Sequence, residues 1–243
     1  MNRFSLEGKT ALVTDANTGI GQAVALAMGR AGAHVICTGR RSSAETVREI
    51  GAAAEEMALD FADPMAARDV FSDRQIDILV NNAGIIRRDD ATEFSEQDWD
   101  DVIDVNLKAL FFTCQAFAKA AMARGAGGKI VNIASLLSFQ GGIRVPSYAA
   151  SKHGVAGLTK ALCNEWAAHG INVNAIAPGY ISTNNTEALR ADPVRNKAIL
   201  ERIPAGRWGD PADIAETAVF LSAPASDYVN GAIINVDGGW LAR

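Results

Sequence analysis

Apolar residues in this chain gather into seven short runs separated by longer stretches of helical periodicity. The runs are TALVT (10–14), HVICT (34–38), EMAL (56–59), DILVN (77–81), KIVNI (129–133), NVNAIA (172–177) and AIINV (232–236). They are rich in Val and Ile and nearly continuous, the pattern of strands covered on both faces. Between them, Ser95-Glu96-Gln97-Asp98 has the form of a capping box and predicts a helix through about Ala123. A second helix is predicted from Ser147 to Ala168, with Gly170 as its stop. A third opens at Asp210-Pro211, an N-cap followed by proline at the first helical position, and leads to Ser222. No low-complexity tract, charge block, internal repeat or Pro/Ser-rich linker divides the chain. The alternation over residues 1–243 therefore predicts a single doubly wound α/β domain: a parallel sheet of about seven strands with helices on both faces. In such sheets ligands bind beyond the carboxyl ends of the strands, so the residues just after each run are the candidates for chemistry.

Composition narrows the classes. With 49% hydrophobic residues in 243, the chain can bury a sizeable core. Lys and Arg number 23 against 28 Asp and Glu, a net charge of −5, which leaves no basic excess for a nucleic-acid partner. Cys37, Cys114 and Cys163 are odd in number and form no CxxC pair, so neither a disulfide framework nor a zinc site is expected. His34, His153 and His169 share no metal-ligand spacing and are read as structural; no metal is expected. The start, MNRFSLEGKT, lacks the apolar stretch of a signal peptide, and no apolar run approaches the roughly eighteen residues of a membrane span. A cytoplasmic protein without a membrane partner is expected.

The first strand runs into Thr14-Asp15-Ala16-Asn17-Thr18-Gly19-Ile20-Gly21, and a helix follows. Gly19 and Gly21 would let the backbone approach a pyrophosphate, with the helix N-terminus aimed at the anion. Asp15 stands where a dinucleotide loop would carry glycine. Aspartate tolerates left-handed backbone angles better than most residues, so the turn can survive. Its charge would oppose a bound phosphate unless the side chain turns away to bond backbone amides. The second strand ends in Gly39-Arg40-Arg41 rather than in the acid that usually binds the ribose 2′-hydroxyl of NAD. Guanidinium groups suit a 2′-phosphate, which favours NADP, with NAD as the alternative.

The fifth strand ends at Ile133-Ala134-Ser135; Tyr148 follows thirteen residues later and Lys152 four after that. A spacing of four places Tyr148 and Lys152 on one helix face. Carbonyl reduction needs a hydride at carbon and a proton at oxygen. Free tyrosine, with a pKa of about 10, is a reluctant donor and a worse base. A nearby ammonium favours the phenolate and would make Tyr148 a reversible general acid–base. Ser135 can donate a hydrogen bond to the developing oxyanion. Lys152 can also hold a nicotinamide ribose. Asn106 lies inside a predicted helix, where asparagine is a mediocre former, and is read as holding a water that leads to Lys152. Trp208 and Trp240 are expected to pack, and the FFTCQAF stripe (111–117) to be buried helix surface.

These segments, with Asp60, Asn81-Asn82-Ala83-Gly84, Tyr148-Ala149-Ala150-Ser151-Lys152 and Pro178-Gly179, make the chain resemble the short-chain dehydrogenase/reductase family along essentially its whole length. The resemblance implies a Rossmann domain and a catalytic tetrad of Asn106, Ser135, Tyr148 and Lys152. It implies a cofactor cradle of Asn17, Gly19, Ile20, Gly21, Arg40, Arg41, Asp60, Phe61, Asn82, Ala83, Gly84, Tyr148, Lys152, Pro178, Gly179, Ile181 and Thr183. In it Asp60 would bond the adenine amine and Pro178 to Thr183 the nicotinamide carboxamide. A homotetramer is implied too.

Stretches such as AGIIRRDD (83–90), 127–152, RIPAGRWG (202–209) and DGGWLAR (237–243) resemble a branch of the family acting on sugar acids from uronate, pectin or alginate breakdown. The implied reaction interconverts a ketone and a secondary alcohol on a 2-keto-3-deoxy-hexonate or a 2-deoxygluconate-type acid. A carboxylate substrate calls for a cation: Arg144 is the first candidate, with Arg87 or Arg88 as others, and Ser135 as a further substrate contact. The alternatives are a reductase of another carbonyl, such as a 3-oxoacyl thioester, and a non-catalytic nucleotide-binding protein, which Asp15 makes thinkable.

Overall fold

Each of the seven apolar runs forms a strand in a computed structural model of the chain, which describes residues 2–243. The strands are β1 (Thr10–Thr14), β2 (His34–Gly39), β3 (Ala54–Ala58), β4 (Ile78–Asn81), β5 (Gly128–Ile133), β6 (Ile171–Pro178) and β7 (Ile233–Val236). They make one sheet in the order β3-β2-β1-β4-β5-β6-β7, with every pairing parallel. Chain order reverses between β1 and β4, so the crevice for a ligand opens at their carboxyl ends. The architecture is a doubly wound Rossmann-type α/β domain.

The continuous apolar runs follow from the two covered faces. Along β1, Ala11 and Val13 enter one core while Leu12 enters the other. Along β4, Ile78 and Val80 face the first core and Leu79 the second. Helices α1 (Gly19–Arg30) and α8 (Pro211–Ser222) cover the first core; α4 (Leu110–Ala123) and α5 (Pro146–Trp166) cover the second. A smaller third cluster joins Leu136, Ile199, Ile203 and Trp240, with Tyr180 and Trp208 packed against it. Both tryptophans therefore pack as expected. Gly170 ends the α5 region in the left-handed conformation, and Asp210 caps α8 through Ala212 N–H. No helix among the described residues is long and apolar enough to cross a membrane.

Three expectations are corrected. β3 lies two residues earlier than EMAL at its start, adding Ala54 and Glu55, because it is a sheet edge where charge is tolerated. Glu56 accepts from Ser43 N–H at 2.7 Å, and Glu55 pairs with Arg74. The helix predicted from Ser95 is interrupted: α3 (Glu96–Ile103) passes into a π-helical turn over Asp104–Ala109 before α4 begins. Helices α2 (Ala44–Ile50), α6 (Glu187–Ala191) and α7 (Pro193–Arg202) add to those predicted.

Candidate active site

The loop after β1 is held from three sides. Thr14 Oγ1 accepts from the N–H groups of Asn82 (2.9 Å) and Ala83 (2.8 Å), tying β1 to the end of β4. Asn82 Nδ2 donates to the carbonyls of Thr14 and Asp15. From α2, Thr46 Oγ1 donates to the Ala16 carbonyl at 2.9 Å, a contact across 30 positions that no local pattern announces. Asp15 takes the left-handed conformation at φ 54°, as its tolerance for such angles allows. A Cβ on Gly21 would fall against the Asp15 carbonyl and 2.5 Å from Asn82 Nδ2, so only glycine fits there. No side chain caps the N-terminus of α1, and its first turn carries no acid. That end of the helix is thus free to face an anion.

A cleft of about 570 Å³ opens above this loop. Of the residues expected at a cofactor, Gly19, Ile20, Arg40, Arg41, Asp60, Phe61, Asn82, Ala83, Gly84 and Thr183 line it. Arg40 and Arg41 are exposed, and neither forms a salt bridge with another described residue. Gly21 lies behind the wall, as does Asn17, whose Oδ1 is buried with no hydrogen-bond donor. An unpaired buried acceptor, a glycine cradle and an uncapped helix end fit a dinucleotide. Pro178 closes β6, and Gly179 N–H donates to the Val236 carbonyl. The Ile181 side chain is buried in the first core, so only its backbone is free to contribute. Segment 183–186 leans over the loop: Asn184 Nδ2 reaches Thr18 Oγ1 at 3.5 Å, and Thr183 faces Gly19.

Beyond the cleft, Ser135 follows β5, and Leu136 anchors it in the third cluster. Ser135 Oγ accepts from Leu137 N–H at 3.1 Å. Tyr148 and Lys152 occupy one face of α5, with Lys152 Nζ 5.6 Å from the centre of the phenol ring. Lys152 is only 5% exposed and donates to the Ile133 carbonyl at 2.7 Å. Burial pulls its pKa from 10.5 down to about 8. Burial also pushes the Tyr148 phenol up, opposed first by the Ser135 hydrogen bond and then by the Arg88 charge. Lys152, expected from the sequence to favour the phenolate, is not among those opposing influences.

The π turn turns Asn106 inward, where it is 1% exposed. Its side chain accepts from Ile85 N–H (2.8 Å), donates to the Ile85 carbonyl (2.9 Å) and reaches Ser151 Oγ (3.3 Å). Asn106 thus clamps the cleft wall to α5 rather than bonding Lys152 directly. Gly154 makes room for this approach: a Cβ there would stand 2.8 Å from Leu107.

The arginines read as substrate cations separate clearly. Arg144, at φ 64°, is held by Asp90 at 3.1 Å and Asp89 at 3.6 Å. Arg87 is held by Asp98 and Asp101. Arg88 is exposed, has no acidic partner among the described residues, and acts on Tyr148. The structure therefore turns Arg144 toward neighbouring carboxylates and leaves Arg88 as the arginine of the three without an acidic partner among the described residues.

Comparisons with known proteins agree with the fold. A family model described as enoyl-(acyl carrier protein) reductase matches residues 15–241. The chain is 55% identical to 2-dehydro-3-deoxy-D-gluconate 5-dehydrogenase of Escherichia coli (strain K12), over 100% of this chain and 99% of that protein. It is 57% identical to the Bacillus subtilis (strain 168) protein of the same name, over 99% of this chain and 97% of the relative. A crystal structure from Agrobacterium tumefaciens with bound NADP, provisionally called a 2-deoxy-D-gluconate 3-dehydrogenase, is 71% identical; it superposes with a TM-score of 0.99 over 100% of both chains. Matched across nearly its whole length in sequence and in fold, the chain belongs to the short-chain dehydrogenase/reductase family.

Proposed function

We propose that the protein interconverts a ketone and a secondary alcohol on a six-carbon sugar acid, a 2-keto-3-deoxy-hexonate or a 2-deoxygluconate-type acid. NADP is its favoured cofactor and NAD the alternative. The carrying observation is Tyr148 on one face of α5 with the Nζ of buried Lys152 5.6 Å from its ring centre, in a fold whose β1 loop and cleft fit a dinucleotide. The names of the similar enzymes support the substrate class, and the NADP in the Agrobacterium structure supports the cofactor.

When bound, the nicotinamide dinucleotide supplies or accepts the hydride. The chain's own residues handle the proton and the charge. In the reductive direction, Tyr148 would give its phenolic proton to the carbonyl oxygen as hydride reaches the carbon, leaving a secondary alcohol and a Tyr148 phenolate. Its raised pKa keeps that proton in place until the oxygen demands it. The Ser135 hydroxyl, which accepts from Leu137 N–H and keeps its own O–H, would donate to the same oxygen. Lys152, its Nζ 5.6 Å from the phenol ring centre, has N–H groups besides the one given to Ile133 with which it would hold a nicotinamide ribose. Arg88 meets the substrate carboxylate, the role first read for Arg144. Arg40 and Arg41, which line the cleft, would hold the 2′-phosphate that distinguishes NADP. The same reading places a homotetramer in the cytoplasm with a small-molecule substrate.

The test is direct. Purified protein should oxidise NADPH in the presence of 2,5-diketo-3-deoxygluconate, and Tyr148→Phe should lower the rate about 100-fold or more. Preference for a 3-oxoacyl thioester in a substrate panel would replace the sugar-acid reading. Failure to bind either nicotinamide dinucleotide in calorimetry would replace catalysis with a non-catalytic role.

A further inference from the structure

The carboxylate of Asp15 has no place in the function proposed above, yet its surroundings are specific. In dinucleotide-binding domains the acid that reads the ribose 2′-hydroxyl projects from the end of the second strand. Here that position is Gly39, which has no side chain. Asp15 stands across from it: its Cα lies 3.5 Å, and its Oδ1 3.6 Å, from the point where a Gly39 Cβ would begin. The carboxylate of the first loop thus borders the space that a second-strand acid would enter.

Asp15 has not turned away to bond the loop. Among the described residues, no N–H or O–H donates to its carboxylate and no cation lies within salt-bridge distance. Arg41 and Arg40 act on it only at longer range, and burial is the larger influence on its charge. Its backbone is fixed by Asn82 Nδ2 on its own carbonyl and by Ala16 N–H on the Thr38 carbonyl, with φ at 54°. One end of the cleft therefore carries an unpaired acceptor and two free guanidiniums, which line the cleft together with Gly39. These are readers of opposite sign. A ribose hydroxyl satisfies the carboxylate by donating to it, whereas a ribose phosphate satisfies the arginines and is repelled by the carboxylate.

We propose that Asp15 is a cofactor-specificity residue that accepts a hydrogen bond from the adenosine ribose of NAD and opposes the Arg40–Arg41 preference for NADP, so that the enzyme takes both cofactors. The proposal rests on the nicotinamide-dinucleotide reading given under Proposed function.

Calorimetric dissociation constants for NADP⁺ and NAD⁺, measured on wild type, Asp15→Asn and Asp15→Gly, test it without turnover. Asparagine keeps the size and the tolerance for left-handed angles; glycine removes the side chain and keeps the turn. Both variants should bind NADP⁺ more tightly and NAD⁺ more weakly. The ratio of the two constants should move by about tenfold or more, the worth of one charge-assisted contact. The thermal shift given by saturating NADP⁺ should rise in parallel. Equal changes in both constants would make Asp15 a loop-shaping residue only, and unchanged constants would remove any role; either result overturns the inference alone. Absence of binding by wild type to either dinucleotide would overturn the cofactor reading and this inference with it.

Discussion

Replacing Lys152 with methionine should stabilise the fold and abolish turnover, and the gain should depend on pH. Lys152 is 5% exposed, and burial lowers its pKa from 10.5 to about 8. That fall corresponds to about 3 kcal/mol of destabilisation whenever the buried amine is charged, at about 1.4 kcal/mol for each tenfold change. Methionine matches the length and apolar stem of lysine and carries no charge. It also leaves the Ile133 carbonyl without its 2.7 Å donor, which costs about 1 kcal/mol. The expected net gain at pH 7 is about 2 kcal/mol.

The sign with pH follows from linkage. Below pH 8 the lysine is protonated in both states and the full penalty is present. Between pH 8 and 10.5 the unfolded chain binds the extra proton, so wild-type stability climbs. The advantage of Lys152→Met should therefore shrink by about 2 kcal/mol between pH 7 and 9.5. Urea unfolding of both proteins at the two pH values measures it. Equal differences at both values would refute the claim that Lys152 carries a buried charge. Lower stability of the variant at pH 7 would show that the Ile133 bond outweighs desolvation.

Two further outcomes follow from the site. Gly21→Ala sets a methyl group 2.5 Å from Asn82 Nδ2 and against the Asp15 carbonyl. It should cost about 1–3 kcal/mol, lower Tm by several degrees and weaken dinucleotide binding at least tenfold; a wild-type Tm and Kd would contradict the clamp. Arg88→Ala should raise KM for the sugar acid about tenfold with a smaller change in kcat. Arg144→Ala, which breaks only exposed pairs with Asp89 and Asp90, should leave KM near wild type and cost less than about 1 kcal/mol of stability. Steady-state kinetics on both variants decide between these arginines.

What could be read in advance divides along physical lines. Strands covered on both faces announce themselves as continuous apolar runs, so β1 was placed to the residue, as was Asp210 at the start of α8. The start of β3 was displaced because Ala54 and Glu55 lie on the sheet edge, where a small and a charged residue carry no strand signal. The π turn was invisible. No proline or glycine marks Asp104–Ala109, and the turn depends on Asn106 finding the Ile85 peptide, a contact across 21 positions. Tyr148, Lys152 and Ser135 were legible because their spacing on one helix and one strand end carries the geometry. The arginines were not, since Arg87, Arg88 and Arg144 look equivalent until their acidic neighbours are placed in space.

The π turn has a consequence for how the chain tolerates length changes. A turn of this kind holds one residue more than a regular helix of the same rise, while the helical phase on either side is kept. A chain shortened by one residue between Asp104 and Ala109 would heal into an uninterrupted helix, and α3 and α4 would still present the same faces to their neighbours. Such a deletion would swing the Asn106 amide away from Ile85 and Ser151 without disturbing the sheet. The surplus residue thus sets where the cleft wall meets α5, while the helices on either side keep their phase.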